Sequence, residues 1–205
     1  MPVLSGATHA MTLLRALGAG EIEHPGGSLL EHVRRVGELL GDWDARPALR
    51  LAGLCHALYG TDGFPSALLP LARRPQLAAA IGAEAEALVY FYASCDRKAS
   101  YPALLDDPPL FRDRFSGRIL HPGPQRLRDF AELTAANELD IARVSPEFRR
   151  QRGGELRALL TRLRPLLSEA AWAECRAVLF RAGAHAAPED GRTAGGPGAA
   201  DGARG

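Results

Sequence analysis

Apolar residues recur at helical spacing along almost the whole chain. In "SLLEHVRRVGELLGDW" the positions Leu29, Leu30, Val33, Val36, Leu39 and Leu40 fall on one face, the stripe of an amphipathic helix packed on a core. Ser28, followed three residues later by Glu31, is a capping-box signature that sets the start of this helix. "ATHAMTLLRALGA" (7–19) gives an earlier helix that ends in glycines. "ARPALRLAGLCHALYG" gives a third, over 46–59, with Pro47 tolerated in its first turn. Two further helices are expected at 66–81 and 83–95, separated near Gly82. The second contains "LVYFYASC", which alone could be a buried strand but continues from "GAEAEA" as a helix.

Beyond residue 95 the period is lost. "DRKASYPALLDDPPLFRDRFSGRILHPG" (96–123) is rich in proline and charge, and predicts an irregular excursion with a short hairpin at "RFSGRI". Helical spacing returns in "PQRLRDFAELTAANELDIARV" (124–144) and in two C-terminal stretches, the last opening at Ser168. From Ala184 onward the chain has too few apolar residues to bury, and a disordered tail is expected. The fold class is therefore all-α: one helical domain over 1–183 with one irregular excursion, then the tail.

Composition narrows the function. With 205 residues, 46% hydrophobic and 24% charged, the chain can bury a substantial core. The 25 basic and 24 acidic side chains nearly cancel, which argues against a nucleic-acid partner. No run reaches the roughly 20 apolar residues that a membrane span requires, and the N-terminus lacks a basic region leading into an apolar one. Cys55, Cys95 and Cys175 are odd in number and far apart, so neither a disulfide framework nor a zinc ribbon is expected. These features predict a reduced, cytoplasmic protein with a small-molecule substrate as its partner.

"LAGLCHALYGTDGFP" (51–65) concentrates the candidate chemistry. His56 closes an apolar helix, and Tyr59, Thr61 and Asp62 follow within six residues. His32 lies 11 residues before Trp43 and His56 lies 10 after Arg46. At about 1.5 Å per residue the two imidazoles sit at similar heights on an antiparallel helix pair. A lone histidine is ordinarily a hydrogen-bonded core residue. Two at matched height, with polar groups clustered behind one of them, are a plausible beginning of a metal site.

These residues resemble a family. "LLEHVRRVGELL" followed by "LRLAGLCHALYGTDGF" looks like the HD-domain superfamily of helical metalloproteins, over about residues 20 to 145. The "HALYGTDG" loop is similar to that of guanosine-tetraphosphate hydrolases, and the block as a whole to a branch of HD-like domains with an H-x-x-YGT motif and altered metal ligands. The resemblance implies His32 and His56 as ligands, with Asn137 or Asp140 completing the site and His24 or Asp96 as extra ligands. The family's bridging carboxylate beside the second histidine is Ala57 here, and Asn137 stands where its later aspartate would be. Two closely spaced ions need bridging anions, so the implied cofactor is a single divalent ion, Fe, Mn or Zn.

On this reading Tyr59, Thr61 and Asp62 contact substrate or activate water, and Arg97 fixes an anionic group. The plainer alternatives are that "YGTDG" is a turn with Gly60 and Gly63 supplying unusual backbone angles, and that Asp96 and Arg97 are solvated charge. Two functions are thereby expected from the sequence. One is a metal-dependent hydrolase or iron-dependent oxygenase. The other is a non-catalytic module that keeps the pocket and has lost the metal.

Overall fold

The structure, a computed structural model, describes residues 2–180. The expected disordered tail lies outside the described residues. The fold is all-α, with nine α-helices and two very short hairpins among the described residues. In chain order the elements are α1 (Pro2–Ala16), β1 (Glu23–His24), β2 (Gly27–Ser28), α2 (Leu29–Asp42) and α3 (Pro47–Cys55). There follow α4 (Arg74–Ile81), α5 (Ala83–Ala93), α6 (Arg97–Ser100), β3 (Phe111–Arg112) and β4 (Ile119–Leu120), then α7 (Pro124–Val144), α8 (Pro146–Arg162) and α9 (Glu169–Cys175). No helix among the described residues is long and apolar enough to cross a membrane.

The capping box forms as expected: the Glu31 backbone N–H donates to the Ser28 hydroxyl, and the Ser28 N–H donates to the Glu31 carboxylate at 2.8 Å. Leu29, Val33, Val36, Leu39 and Leu40 are buried and Leu30 is half-buried. Each fully buried aliphatic side chain contributes about 1.5–3 kcal/mol of transfer free energy. α2 packs antiparallel on α3 at unusually close range. A Cβ on Gly53 would lie 2.5 Å from Leu40, and one on Gly37 would lie 2.6 Å from Leu54. This approach brings the α2 face bearing His32 against the end of α3 that bears His56.

Three boundaries differ from the sequence expectation. The third helix stops at Cys55 instead of residue 59, because tight turns replace the helical pattern there. Leu58 N–H bonds the Cys55 carbonyl, Gly60 N–H bonds the Ala57 carbonyl, and Gly60 takes φ 68°. The 66–81 helix begins only at Arg74, after a 3₁₀ turn at Leu71–Arg73; Pro70 disfavours helical backbone at the residue before it. The loop expected at "EIEHPGG" is a tight hairpin, with His24 paired to Gly27. Pro25 and Gly26 (φ 79°) take the two central positions of a type II turn. The hairpin expected at "RFSGRI" is present, with β3 and β4 pairing on either side of it.

α7 packs chiefly on α2 and touches α3. Most of its buried residues are apolar, but Asp129, Thr134, Asn137, Glu138 and Asp140 are buried among them. Asn137 and Asp140 meet the two histidines.

Candidate functional site

His32 comes from the middle of α2, His56 from the residue that ends α3, and Asn137 and Asp140 from one face of α7. The His32 and His56 rings lie 5.2 Å apart, centre to centre, so the heights inferred from the sequence do match. Both are buried, as is Asn137.

The hydrogen-bond directions follow from what each partner can do. Asp140 accepts two bonds from Arg35, Nε to Oδ1 at 2.7 Å and Nη2 to Oδ2 at 2.9 Å. Burial pushes the Asp140 carboxyl up, but the bonds from His32 and Arg35 outweigh it and hold it below the usual carboxylate range. An ionised carboxylate only accepts, so the 2.7 Å contact is His32 Nδ1 donating to Asp140. His56 Nδ1 likewise donates to the Gly53 carbonyl at 2.8 Å. Burial, reinforced by repulsion from His32, lowers the His56 pKa to about 3, so this ring is neutral at physiological pH. A neutral imidazole with its proton on Nδ1 carries a bare lone pair on Nε2.

Both Nε2 atoms point at the same oxygen. Asn137 Oδ1 lies 3.1 Å from His32 Nε2 and 3.0 Å from His56 Nε2. The amide is oriented by its Nδ2, which donates to Glu138 Oε1 at 3.3 Å. With His32 neutral as well, three acceptors face one another with no proton to share, an arrangement that a cation, or a proton on His32 Nε2, satisfies. Neighbouring ligands of a six-coordinate ion with bonds of about 2.1 Å are about 3.0 Å apart, and the two distances to Asn137 Oδ1 match that spacing. Among the described residues no group of three His, Cys, Asp or Glu side chains is arranged to hold a metal. The third donor here is an amide oxygen.

His24 stacks on His32, ring centres 4.0 Å apart. The Pro25–Gly26 turn fixes it there, and Arg35 Nη1 and Nη2 reach the Gly26 and Pro25 carbonyls at 3.4 Å. A Cβ on Gly26 would strike Val144 of α7 at 2.7 Å. Burial, then repulsion from His32, lowers the His24 pKa to about 4. Its Nδ1 is buried without a well-formed hydrogen bond, although the Pro25 backbone close by favours the protonated form slightly.

The imidazoles line a cleft of about 350 Å³ together with Thr61, Phe64, Arg97, Glu138 and Arg152, among others. Arg97 Nη1 donates to Glu138 Oε1 at 3.1 Å. His24, His32, His56, Asn137, Thr61 and Arg97 are therefore gathered in one place. Asp140 stands one layer behind, with both oxygens engaged by His32 and Arg35; it orients His32 and does not face the cleft. Tyr59, Asp62 and Asp96 lie outside the lining. Tyr59 donates to Glu86 at 2.9 Å, Asp62 accepts from the Arg97 backbone N–H at 2.9 Å, and Asp96 caps α6 by accepting from Ala99 N–H at 3.0 Å. The "YGTDG" loop is a tight turn closed by Thr61 and Phe64, with Gly60 at positive φ and Gly63 not.

Arg35, Glu138 and Arg152 were not singled out from the sequence. Arg35 and Glu138 carried a signal: Arg35 follows His32 by three residues, one helical turn on the same face, and Glu138 adjoins Asn137.

A family model described as a domain of unknown function (DUF6817) matches residues 13–97, less than half of the chain. The match takes in His24, His32 and His56 and ends at Arg97, short of Asn137 and Asp140. No curated protein and no solved structure matches the chain.

Proposed function

We propose that the protein is a metal-dependent enzyme of HD-like fold that acts on a small anionic substrate. The observation that carries this reading is that His32 Nε2 and His56 Nε2 both lie within hydrogen-bond distance of Asn137 Oδ1, at 3.1 and 3.0 Å, which sets three potential ligands side by side when both rings are neutral. Those three atoms would hold the ion, with His24 as a further neutral nitrogen at the same end of the cleft. When bound, a divalent ion supplies Lewis acidity and lowers the pKa of a coordinated water. With one charge-free amide in place of a bridging carboxylate, and Ala57 beside His56, a single ion is the expected stoichiometry.

The chain's own groups divide the remaining work. Asp140 and the Gly53 carbonyl fix the two imidazole tautomers, and such outer partners typically contribute 10–100-fold in metal affinity or activity. Arg97 binds the anionic part of the substrate, since a guanidinium matches a carboxylate or phosphate edge. We assign Glu138 the role of proton acceptor, because its carboxylate lies in the cleft between the Asn137 amide and Arg97. Hydrolysis is the reaction this arrangement suits best. Oxygenation needs a redox-active ion and employs the same protein groups.

A second reading is favoured by the engagement of Asp140 with Arg35. If the Asn137 amide turns over, its NH₂ donates to both Nε2 atoms and the polar cluster is satisfied with no ion. This costs the Asn137–Glu138 hydrogen bond and sets two oxygens against each other. The protein is then a non-catalytic ligand-binding module.

Metal analysis of tag-free protein loaded with Fe(II), Mn(II) or Zn(II) separates the two readings. The enzyme reading expects one ion per chain, a loss of at least about tenfold in affinity on His32→Ala or His56→Ala, and no change on His9→Ala. Absence of metal from the wild type, or full retention by both site variants, leaves the non-catalytic reading.

A further inference from the structure

A second cavity of about 510 Å³ adjoins the imidazole cleft, and Arg97, Glu138 and Arg152 line both. Its walls differ from those of the first. Tyr101, Leu156 and Leu159 give it an apolar side, built from the residue after α6 and one face of α8. Around this wall basic groups outnumber acidic ones: Arg97, Lys98, Arg152 and Arg162 stand against Glu138 and Glu155. Glu138 is taken up by Arg97 and Glu155 by Arg152, which leaves Lys98 and Arg162 without a carboxylate partner among the described residues.

Arg97 stands at the junction. Of its five N–H donors, one goes to Glu138. The phenols of Tyr92 and Tyr101 are its electrostatic neighbours; the Tyr92 hydroxyl makes a loose contact with the guanidinium, and neither hydroxyl has a well-formed hydrogen bond. Tyr92 is 4% exposed and its ring meets His56 edge-on at 5.6 Å. An incompletely paired guanidinium on the cavity wall, with Tyr101 beside it, is what an oxyanion would complete.

We propose that the two cavities form one bipartite site for an amphipathic organic anion. Its oxyanion head, carboxylate or phosphate, binds at Arg97, and its apolar body lies against Tyr101, Leu156 and Leu159. The inference deepens the enzyme reading above, from a small anion to an anion with an apolar body that points away from the imidazoles. The head lies on the border of the imidazole cleft, so the bond next to it is the one exposed to chemistry.

Calorimetry on the full chain tests this with three probes: phenyl phosphate, 3-phenylpropanoate and inorganic phosphate. At least one of the aromatic anions is expected to bind at least about tenfold tighter than inorganic phosphate, and the tighter of the two identifies the head. Leu159→Asp should abolish that preference while metal content is unchanged. Arg97→Gln should weaken the aromatic anion at least about tenfold. Should Arg97→Gln fail to fold, methyl NMR of the wild type decides: the tighter of the two aromatic anions must shift the Leu156 and Leu159 methyls. Equal binding of all three probes, a preference retained in Leu159→Asp, or unmoved methyls overturns the proposal. Metal binding with no aromatic preference sinks this inference alone; aromatic preference without metal sinks the enzyme reading and leaves this one standing.

Discussion

Two buried polar clusters lie within this helical core, and they are built on opposite rules. Around Glu86 every contact pairs a donor with an acceptor: Tyr59 Oη and Arg74 Nε donate to Oε1 at 2.9 and 2.7 Å, and Arg74 Nη2 donates to Oε2 at 2.9 Å. Arg74 also lies over the Tyr90 ring at 3.9 Å. Around Asn137 the outer contacts are equally well paired, through Asp140, Arg35 and the Gly53 carbonyl, but the inner one, with both rings neutral, sets three acceptors together. The first cluster is complete in the protein alone. The second is completed by a cation, by a turned amide, or by a proton on His32 Nε2. Burial and polarity are common to both, so neither distinguishes a site from a structural network. The direction of each proton does.

Removing a partner should therefore have opposite consequences in the two places. Glu86→Ala leaves the Tyr59 hydroxyl and the Arg74 guanidinium without their acceptor. A stability loss of about 3–4 kcal/mol is expected by chemical denaturation, short of the top of the range for broken buried pairs because Arg74 reaches water. A loss under about 1 kcal/mol would mean that the Glu86 network is not structural and would erase the contrast.

Acid should expose the imidazole cluster next. The folded-state pKa of His56 is lowered to about 3 from 6.5, so between these values the unfolded chain binds the proton that the folded chain excludes. Stability from this group is fully present above pH 6.5 and is lost as pH falls towards 3. The loss is about 3 kcal/mol at pH 4 in metal-free protein. His24, lowered to about 4, and Asp140, held below the usual carboxylate range, change stability in the same direction. His56→Leu should flatten about half of the slope between pH 6.5 and 4, the rest belonging chiefly to His24, and an unchanged slope would contradict a buried neutral His56.

Asn137→Leu should have the smallest effect on stability and the most informative one. If three acceptors converge, replacing the amide by an apolar group of similar size relieves the conflict. Metal-free stability then stays within about 0.5 kcal/mol of wild type while metal affinity collapses. If the amide is turned and donates to both rings, the variant strands two buried nitrogens and loses about 2 kcal/mol or more.

Much of the fold was readable because it rests on local period. The α2 stripe, its capping box and the short turn into α3 are sequence-level features, and together they set His32 against His56. Asn137 and Asp140 were reachable as neighbours one turn apart. What could not be read was tertiary. Nothing near Asp140 announces that Arg35, 105 residues earlier, occupies both its oxygens. Nothing after His56 announces that Tyr59 turns towards Glu86 on α5. The polar run "YGTDG" suggested chemistry, yet its side chains chiefly close a turn and cap the backbone at Arg97. One local signal was there to be used: "HPGG" has Pro and Gly at the central positions of a type II turn, and that turn sets His24 over His32.

The central claim is that His32, His56 and Asn137 hold a single divalent ion through two Nε2 atoms and one amide oxygen. The most direct test is an anomalous difference map from crystals of the full chain soaked in Mn(II), collected where manganese scatters anomalously. One strong peak within bonding distance of both Nε2 atoms and of Asn137 Oδ1 is the predicted result. No peak there, with the Asn137 nitrogen facing the two rings, would contradict the account, as would two well-occupied peaks at that end of the cleft.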